Sequence, residues 1–199
     1  MIVVLGRPIA IEGPSGTMPA GLPSAVAIAA AGAGAQVELI GTIGDDAAGD
    51  AVAIGLARAG VGHAALLRVP AATRPIGRDP AGPPAVDPAD IELGLRYLPD
   101  ARVIVVAEPL IGDAARVVAE AAEFAGAAVI VLVTAGMSPD AAFGRDVIVL
   151  QAPDDALQPF ADAVGRYAAA LDAGAAPQAA LAAAAGAAGW ERTGSEPAG

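Results

Sequence analysis

Two adjacent aspartates, Asp45 and Asp46, stand between an apolar run and a helical pattern, where a carboxylate can do local chemistry. The run Val37–Ile43 predicts a buried strand, and residues 47–59 predict a helix that Gly60 ends. A carboxylate placed there accepts hydrogen bonds from the unpaired N–H groups of the first helical turn and complements the positive helix end. We therefore expect Asp45 or Asp46 to cap this helix, within one half of a parallel α/β unit.

Acidic side chains near the end of the chain form a second group of candidates. Asp154 and Asp155 come directly before a helical run, so the simplest prediction is that they cap it. Asp162 follows shortly afterwards, near a predicted helix start, where aspartate is common for the same electrostatic reason.

The composition excludes several kinds of chemistry. The 199 residues include no lysine, no asparagine and no cysteine, so lysine bases, Schiff bases, disulfides and thiolate metal sites are ruled out. A net charge of −11 argues against partnership with nucleic acid or with anionic membrane surfaces. The alanine-rich runs 24–35 and 168–189 do not read as membrane spans, and no secretory signal is visible, so we expect a cytoplasmic protein.

The order of the elements predicts an α/β fold with a mostly parallel sheet and helices on both faces. Short apolar runs such as Ile2–Leu5 alternate with helical patterns along the chain. The segment Arg7–Leu22 is rich in glycine and proline and is expected to be a loop. A second irregular loop is expected around Arg74 and Arg78, whose charges should be solvated.

The stretch GAGAQVELIGTIGDDAAGDAVAIGLARAGVG, residues 32–62, closely resembles the N-terminal signature of the ribokinase-like (PfkB) sugar kinases. Residues 159–174 resemble, more weakly, the family's C-terminal helix, which carries the catalytic base. The resemblance implies a ribokinase-like fold, and in an intact member it would imply phosphate transfer from ATP, with magnesium, to a sugar.

The same resemblance implies roles for particular residues. Asp162 takes the position of the catalytic base, and Gln151 and Asp154 match an Asn and a Glu that organise magnesium and phosphate. The positions that correspond to sugar-binding elements are Gly21, Ala25, Gly44, Asp45 and Asp46. No direct metal ligand is expected.

Four departures from the family pattern argue against an intact kinase. The early substrate-binding Asp is missing, with Glu12 the nearest acid, and Ala25 replaces the sugar-binding Asn. The nucleotide-binding stretch is absent, and Pro159-Phe160-Ala161 stands where glycines would form an anion hole. We therefore expect one domain, residues 1–199, that lacks most of the lid and the nucleotide segment, and in which Asp45 and Asp46 work structurally.

Three functions remain open at this stage. The first is a degenerate sugar-kinase-like protein that binds a small sugar or nucleoside, or assembles with itself, without phosphate transfer and without a cofactor. The second is a minimal active carbohydrate or nucleoside kinase that uses ATP and magnesium, with Asp162 as base. The third is a module that only forms oligomers. A shortened sheet in a chain that is 55% hydrophobic favours a homo-oligomer.

Overall fold

A computed structural model describes residues 1–14, 16–70, 73 and 85–187. Arg74 and Arg78 lie outside the described residues. The strands of the described part are β1 (Ile2–Leu5), β2 (Ile9–Gly13), β3 (Gly16–Ala20), β4 (Val37–Gly44), β5 (Val61–Gly62), β6 (Leu66–Val69), β7 (Val103–Val106), β8 (Ala128–Val133) and β9 (Ile148–Gln151). The α-helices are α1 (Gly21–Gly32), α2 (Ala47–Arg58), α3 (Pro88–Arg96), α4 (Asp113–Ala125), α5 (Leu157–Asp172) and α6 (Pro177–Ala187). A short 3₁₀ turn spans Ala141–Phe143.

Seven strands form one parallel sheet in the order β5, β4, β1, β7, β8, β9, and β6 pairs with the far half of β4 on the same side as β5. The central strand β1 is fully buried along its sequence Ile-Val-Val-Leu, as expected for a strand that is covered on both faces. Leu5, its last residue, lies beside Ile40 of β4 and Val106 of β7.

Helices cover both faces of this sheet. On one face α1, α2, α5 and α6 pack over alternate strand residues, which include Ile2 and Val4. On the other face α3 and α4 pack over Val3 and Leu5. The predicted fold class, a mostly parallel α/β sheet with helices on both faces, is therefore confirmed.

The predicted loop at Arg7–Leu22 is wrong in its central part, which forms an antiparallel hairpin of β2 and β3. This hairpin lies against α2, where Gly55 has no side chain and Pro19 fills the space: a Cβ there would come within 2.4 Å of the Pro19 ring. The support therefore comes from a distant helix, so the glycine and proline content of the segment could not indicate it.

Among the described residues, no helix is long and apolar enough to cross a membrane.

Candidate functional site

The candidate site lies along the carboxyl edge of the sheet, where all the parallel strands end. In open α/β sheets ligands bind at this edge, close to the point where the strand order reverses. Here that point is β1, because the chain first moves from β1 to β4 and later returns to β7 on its other side. Strand β4 continues for four residues past the level of Leu5, so Gly44 stands about 13 Å beyond the end of β1.

Asp46 is the cap of α2 and the centre of a small hydrogen-bond network. Its carboxylate accepts from the Gly49 N–H at 2.7 Å, from the Thr73 N–H at 2.8 Å and from the Thr73 hydroxyl at 2.6 Å. Burial disfavours the charged form, but the bonds from Thr73 and Gly49 outweigh it and lower the pKa of Asp46 below its ordinary value. The cap prediction is thereby confirmed and assigned to Asp46.

Glycines on either side of Asp46 allow this network to close. The Gly44 N–H donates to the Thr73 hydroxyl at 3.0 Å, and Thr73 itself is buried. A Cβ on Gly49 would come within 2.2 Å of the Gly44 carbonyl oxygen, so the first turn of α2 can approach the end of β4 only with glycine there. Asp45 takes no part in this network: its side chain is exposed, and among the described residues only its backbone N–H is bonded, to the Val69 carbonyl.

An ion pair occupies the point where the strand order reverses. Arg7 follows β1 and Glu108 follows β7; the guanidinium contacts one carboxylate oxygen, and the Arg7 N–H donates to the other at 2.8 Å. Both side chains are partly buried. Gly6 lies beneath the pair, and a Cβ there would meet the Pro23 ring at 2.6 Å and Glu108 Cβ at 3.3 Å. The carboxyl end of β1 is therefore occupied by an ion pair whose charges neutralise each other, and the residues beneath this pair are closely packed.

The start of α1 shows packing in place of sugar-binding chemistry. Gly21 begins the helix with a φ of +83°, a conformation that favours glycine, and no side chain caps this end. Ala25 is half-buried and packs against the core. The neighbouring Ser24 is fully buried, and its hydroxyl has no hydrogen-bond partner among the described residues.

Gln151 and Asp154 lie at the end of β9, and both are exposed. Four strand spacings separate β9 from β4, so this pair is about 19 Å from the Asp46 network. The prediction that Asp154 or Asp155 caps the next helix is wrong: α5 begins at Leu157, its N-cap is Ala156, and no side chain accepts from its first turn. Across the described residues, no group of three or more acidic or histidine side chains could hold a metal ion.

Asp162 lies in the second turn of α5, where its carboxylate accepts from Gln158 Nε2 at 2.9 Å. The first turn includes Pro159, which lacks an N–H, and no glycine. A nucleotide phosphate chain needs closely approaching backbone donors at such a helix start. The residues in the first turn of α5 therefore do not fit a nucleotide phosphate chain.

The structure thus brings together only some of the predicted site residues. Gly44, Asp45 and Asp46 form one group at the end of β4, whereas Gln151, Asp154 and Asp162 belong to β9, to the connection after it and to α5, at the other side of the sheet. The sequence reasoning missed the Arg7–Glu108 pair. A usable signal existed, because each residue lies two positions after a buried strand, and parallel strands end at one edge.

Comparison with solved structures identifies the fold. The ribokinase of Arabidopsis thaliana complexed with ribose and ATP superposes with a TM-score of 0.67 at 16% identity, over 94% of this chain and 90% of that chain. The chain has a ribokinase-like fold. Thermotoga maritima ribokinase gives 0.67 at 14% identity over 94% and 91%. A putative phosphofructokinase from Staphylococcus aureus gives 0.63 at 13% over 95% and 90%. No family model and no curated protein sequence matches this chain.

The resemblance that the segment 32–62 indicated is therefore confirmed at the level of the fold. At identities of 13–16% the comparison shows a shared fold, but it does not show a shared activity or substrate.

Proposed function

We propose that this chain is a degenerate sugar-kinase-like protein that binds a small sugar or nucleoside at the carboxyl edge of its sheet and transfers no phosphate. The observation that carries the proposal is the start of α5, where phosphate would have to be held. Pro159 removes a backbone donor, no glycine allows close approach, and Asp162 is hydrogen-bonded to Gln158 within its own helix. Phosphate transfer depends on positioning and charge stabilisation, and this helix start offers little of either.

The ligand half of the proposal rests on the end of β4. Asp45 presents an exposed carboxylate, which can accept hydrogen bonds from hydroxyl groups, beside a rigid support built by Asp46 and Thr73. A superposable ribokinase was solved with ribose and ATP, which makes sugars and nucleosides the first ligands to test. The proposal requires no cofactor; ATP and magnesium belong only to the alternative of a minimal active kinase.

A pair of measurements tests both halves. Thermal-shift and calorimetric titrations with ribose, other sugars and nucleosides should show binding that Asp45→Ala abolishes and Asp162→Ala leaves intact. Incubation with ATP, magnesium and the same panel should produce no phosphorylated product. Product formation that scales with protein concentration and disappears in Asp162→Ala would establish the active-kinase alternative. If no sugar or nucleoside binds, the ligand half is wrong and the oligomer-forming module takes its place.

A further inference from the structure

The Arg7–Glu108 ion pair lies at the point of the carboxyl edge where the strand order reverses, and both oxygens of its carboxylate are engaged. The Arg7 guanidinium contacts one oxygen of Glu108, and the Arg7 N–H donates to the other at 2.8 Å. The two side chains are only 24% and 14% exposed, so water screens the pair in part. Because Glu108 belongs to the same fold, it faces Arg7 at a high effective concentration, and a free anion would have to compete with it.

The other charges along this edge are mainly acidic. Two arginines beside it already contact carboxylates: Arg68 of β6 bonds Asp50 at 2.7 Å, and Arg116 of α4 bonds Glu120 at 2.9 Å. Aspartates that follow strand ends or stand at helix starts of this edge include Asp45, Asp87, Asp113, Asp140, Asp154 and Asp155. Among the described residues, the edge therefore combines many carboxylates with arginines that each have an acidic partner.

This arrangement treats neutral and anionic ligands differently. A phosphate or carboxylate group that approaches the edge meets carboxylates of its own sign, in a chain whose net charge is −11. A hydroxyl group meets no such repulsion and can donate to an exposed carboxylate such as that of Asp45. An anion would need an arginine at the end of β1, and there Glu108 already occupies Arg7.

We propose that the Arg7–Glu108 pair determines the charge specificity of the ligand site. It restricts the site to uncharged sugars or nucleosides and excludes their phosphorylated or acidic counterparts. This inference rests on the proposed function and narrows its ligand class. A pair that only tied β1 to β7 would affect stability, whereas a specificity pair also affects which charge the ligand carries.

Inorganic phosphate is the first probe, because its binding does not depend on any sugar. Glu108→Gln removes the negative charge but keeps a side chain of the same length. By isothermal titration calorimetry, this variant should bind phosphate about tenfold or more tightly than the wild type, as for one hydrogen bond between charged groups. The gain should vanish in the double variant Arg7→Gln/Glu108→Gln. Glu92→Gln is the matched control, because it makes the same charge change and releases Arg96 in an exposed pair on α3.

Paired ligands are the second probe, and they require only the wild-type chain. Ribose and adenosine should each bind about tenfold or more tightly than ribose 5-phosphate and adenosine 5′-phosphate, respectively, because like charges repel across a binding site. In Glu108→Gln this ratio should fall towards one. Circular dichroism shows whether the variant is folded, and the wild-type ratio decides the matter if it is not.

Three results would overturn the proposal. They are wild-type binding of a phosphorylated ligand as tight as that of its neutral counterpart, no gain of phosphate binding in folded Glu108→Gln, and a gain that persists in the double variant. Loss of stability in Glu108→Gln with an unchanged ligand ratio would assign the pair to folding alone. If no neutral ligand binds the wild type, the proposed function fails, whereas the phosphate titration still decides whether Glu108 keeps anions from Arg7.

Discussion

Replacing Asp46 with alanine removes three hydrogen bonds, which join the end of β4 to the first turn of α2 and to Thr73. The cap on the Gly49 N–H is worth about 1 kcal/mol in comparable helices. The two bonds from Thr73 add about 0.5–1.5 kcal/mol each, because the carboxylate is only half-buried and part of their strength is lost to water. The expected loss of unfolding free energy is therefore about 2–4 kcal/mol. For a chain of this size it corresponds to a fall in melting temperature of roughly 5–15 °C.

Thermal unfolding followed by circular dichroism measures this loss, and the neighbouring aspartate supplies the control. Asp45→Ala removes the same charge from an exposed side chain with no hydrogen bond to any other described residue, so it should change stability by less than about 0.5 kcal/mol. Equal losses in the two variants would mean that local charge, and not the Asp46 network, stabilises the start of α2. If Asp46→Ala left the unfolding free energy unchanged, the Asp46 network would not contribute to stability.

The pH dependence of the same pair of proteins is a second check. The pKa of Asp46 is lowered in the folded chain, so its contribution is complete above the unfolded value, about 3.9, and is lost as pH falls through the folded value. The stability difference between the wild type and Asp46→Ala should therefore be constant from neutral pH to about pH 5. It should narrow below about pH 4. A difference that widens on acidification would contradict the assigned bonds.

Three further substitutions test the packing around the site. Gly165→Ala should cost about 1–3 kcal/mol, because its Cβ would lie 2.6 Å from Ala29 Cβ, whereas Gly186→Ala meets open space and should be neutral or slightly stabilising. Ser24→Ala should raise the melting temperature, because it removes a buried hydroxyl that lacks a partner among the described residues. Glu108→Ala should cost about 2 kcal/mol by removing the partly buried carboxylate that Arg7 contacts, and Glu92→Ala, in an exposed pair, should cost less than about 0.5 kcal/mol. Chemical denaturation measures each.

The α/β unit at residues 37–60 was predictable because its signals are local. An apolar run, an aspartate cap and a glycine stop each act within a few residues, and the structure has β4 and α2 within one residue of the predicted ends. The bonds from Thr73 to Asp46 were not predictable, because Thr73 lies 27 residues away and meets Asp46 only through the pairing of β6 with β4.

The errors have the same physical origin. The hairpin β2–β3 gains its support from α2, and no pattern inside its own sequence reports that contact. Asp154 and Asp155 have the residue type and spacing of a cap, but the chain between β9 and α5 leaves them exposed and places Ala156 at the N-cap. In both cases the rest of the fold overrides local propensity: the contact with α2 supports the hairpin, and the course of the chain between β9 and α5 decides which residue is the N-cap.

The strongest sequence match in this chain turns out to consist largely of residues with structural roles. Gly44 donates to Thr73, Asp46 caps α2, and Gly49 lets the helix approach the end of β4. A chain that lost catalysis would still need these residues in order to fold, so their presence argues for the architecture and not for phosphate transfer. Asp45 is different, because its exposed carboxylate has no structural task among the described residues. The ligand proposal therefore depends on Asp45, and its substitution is the variant that separates function from fold.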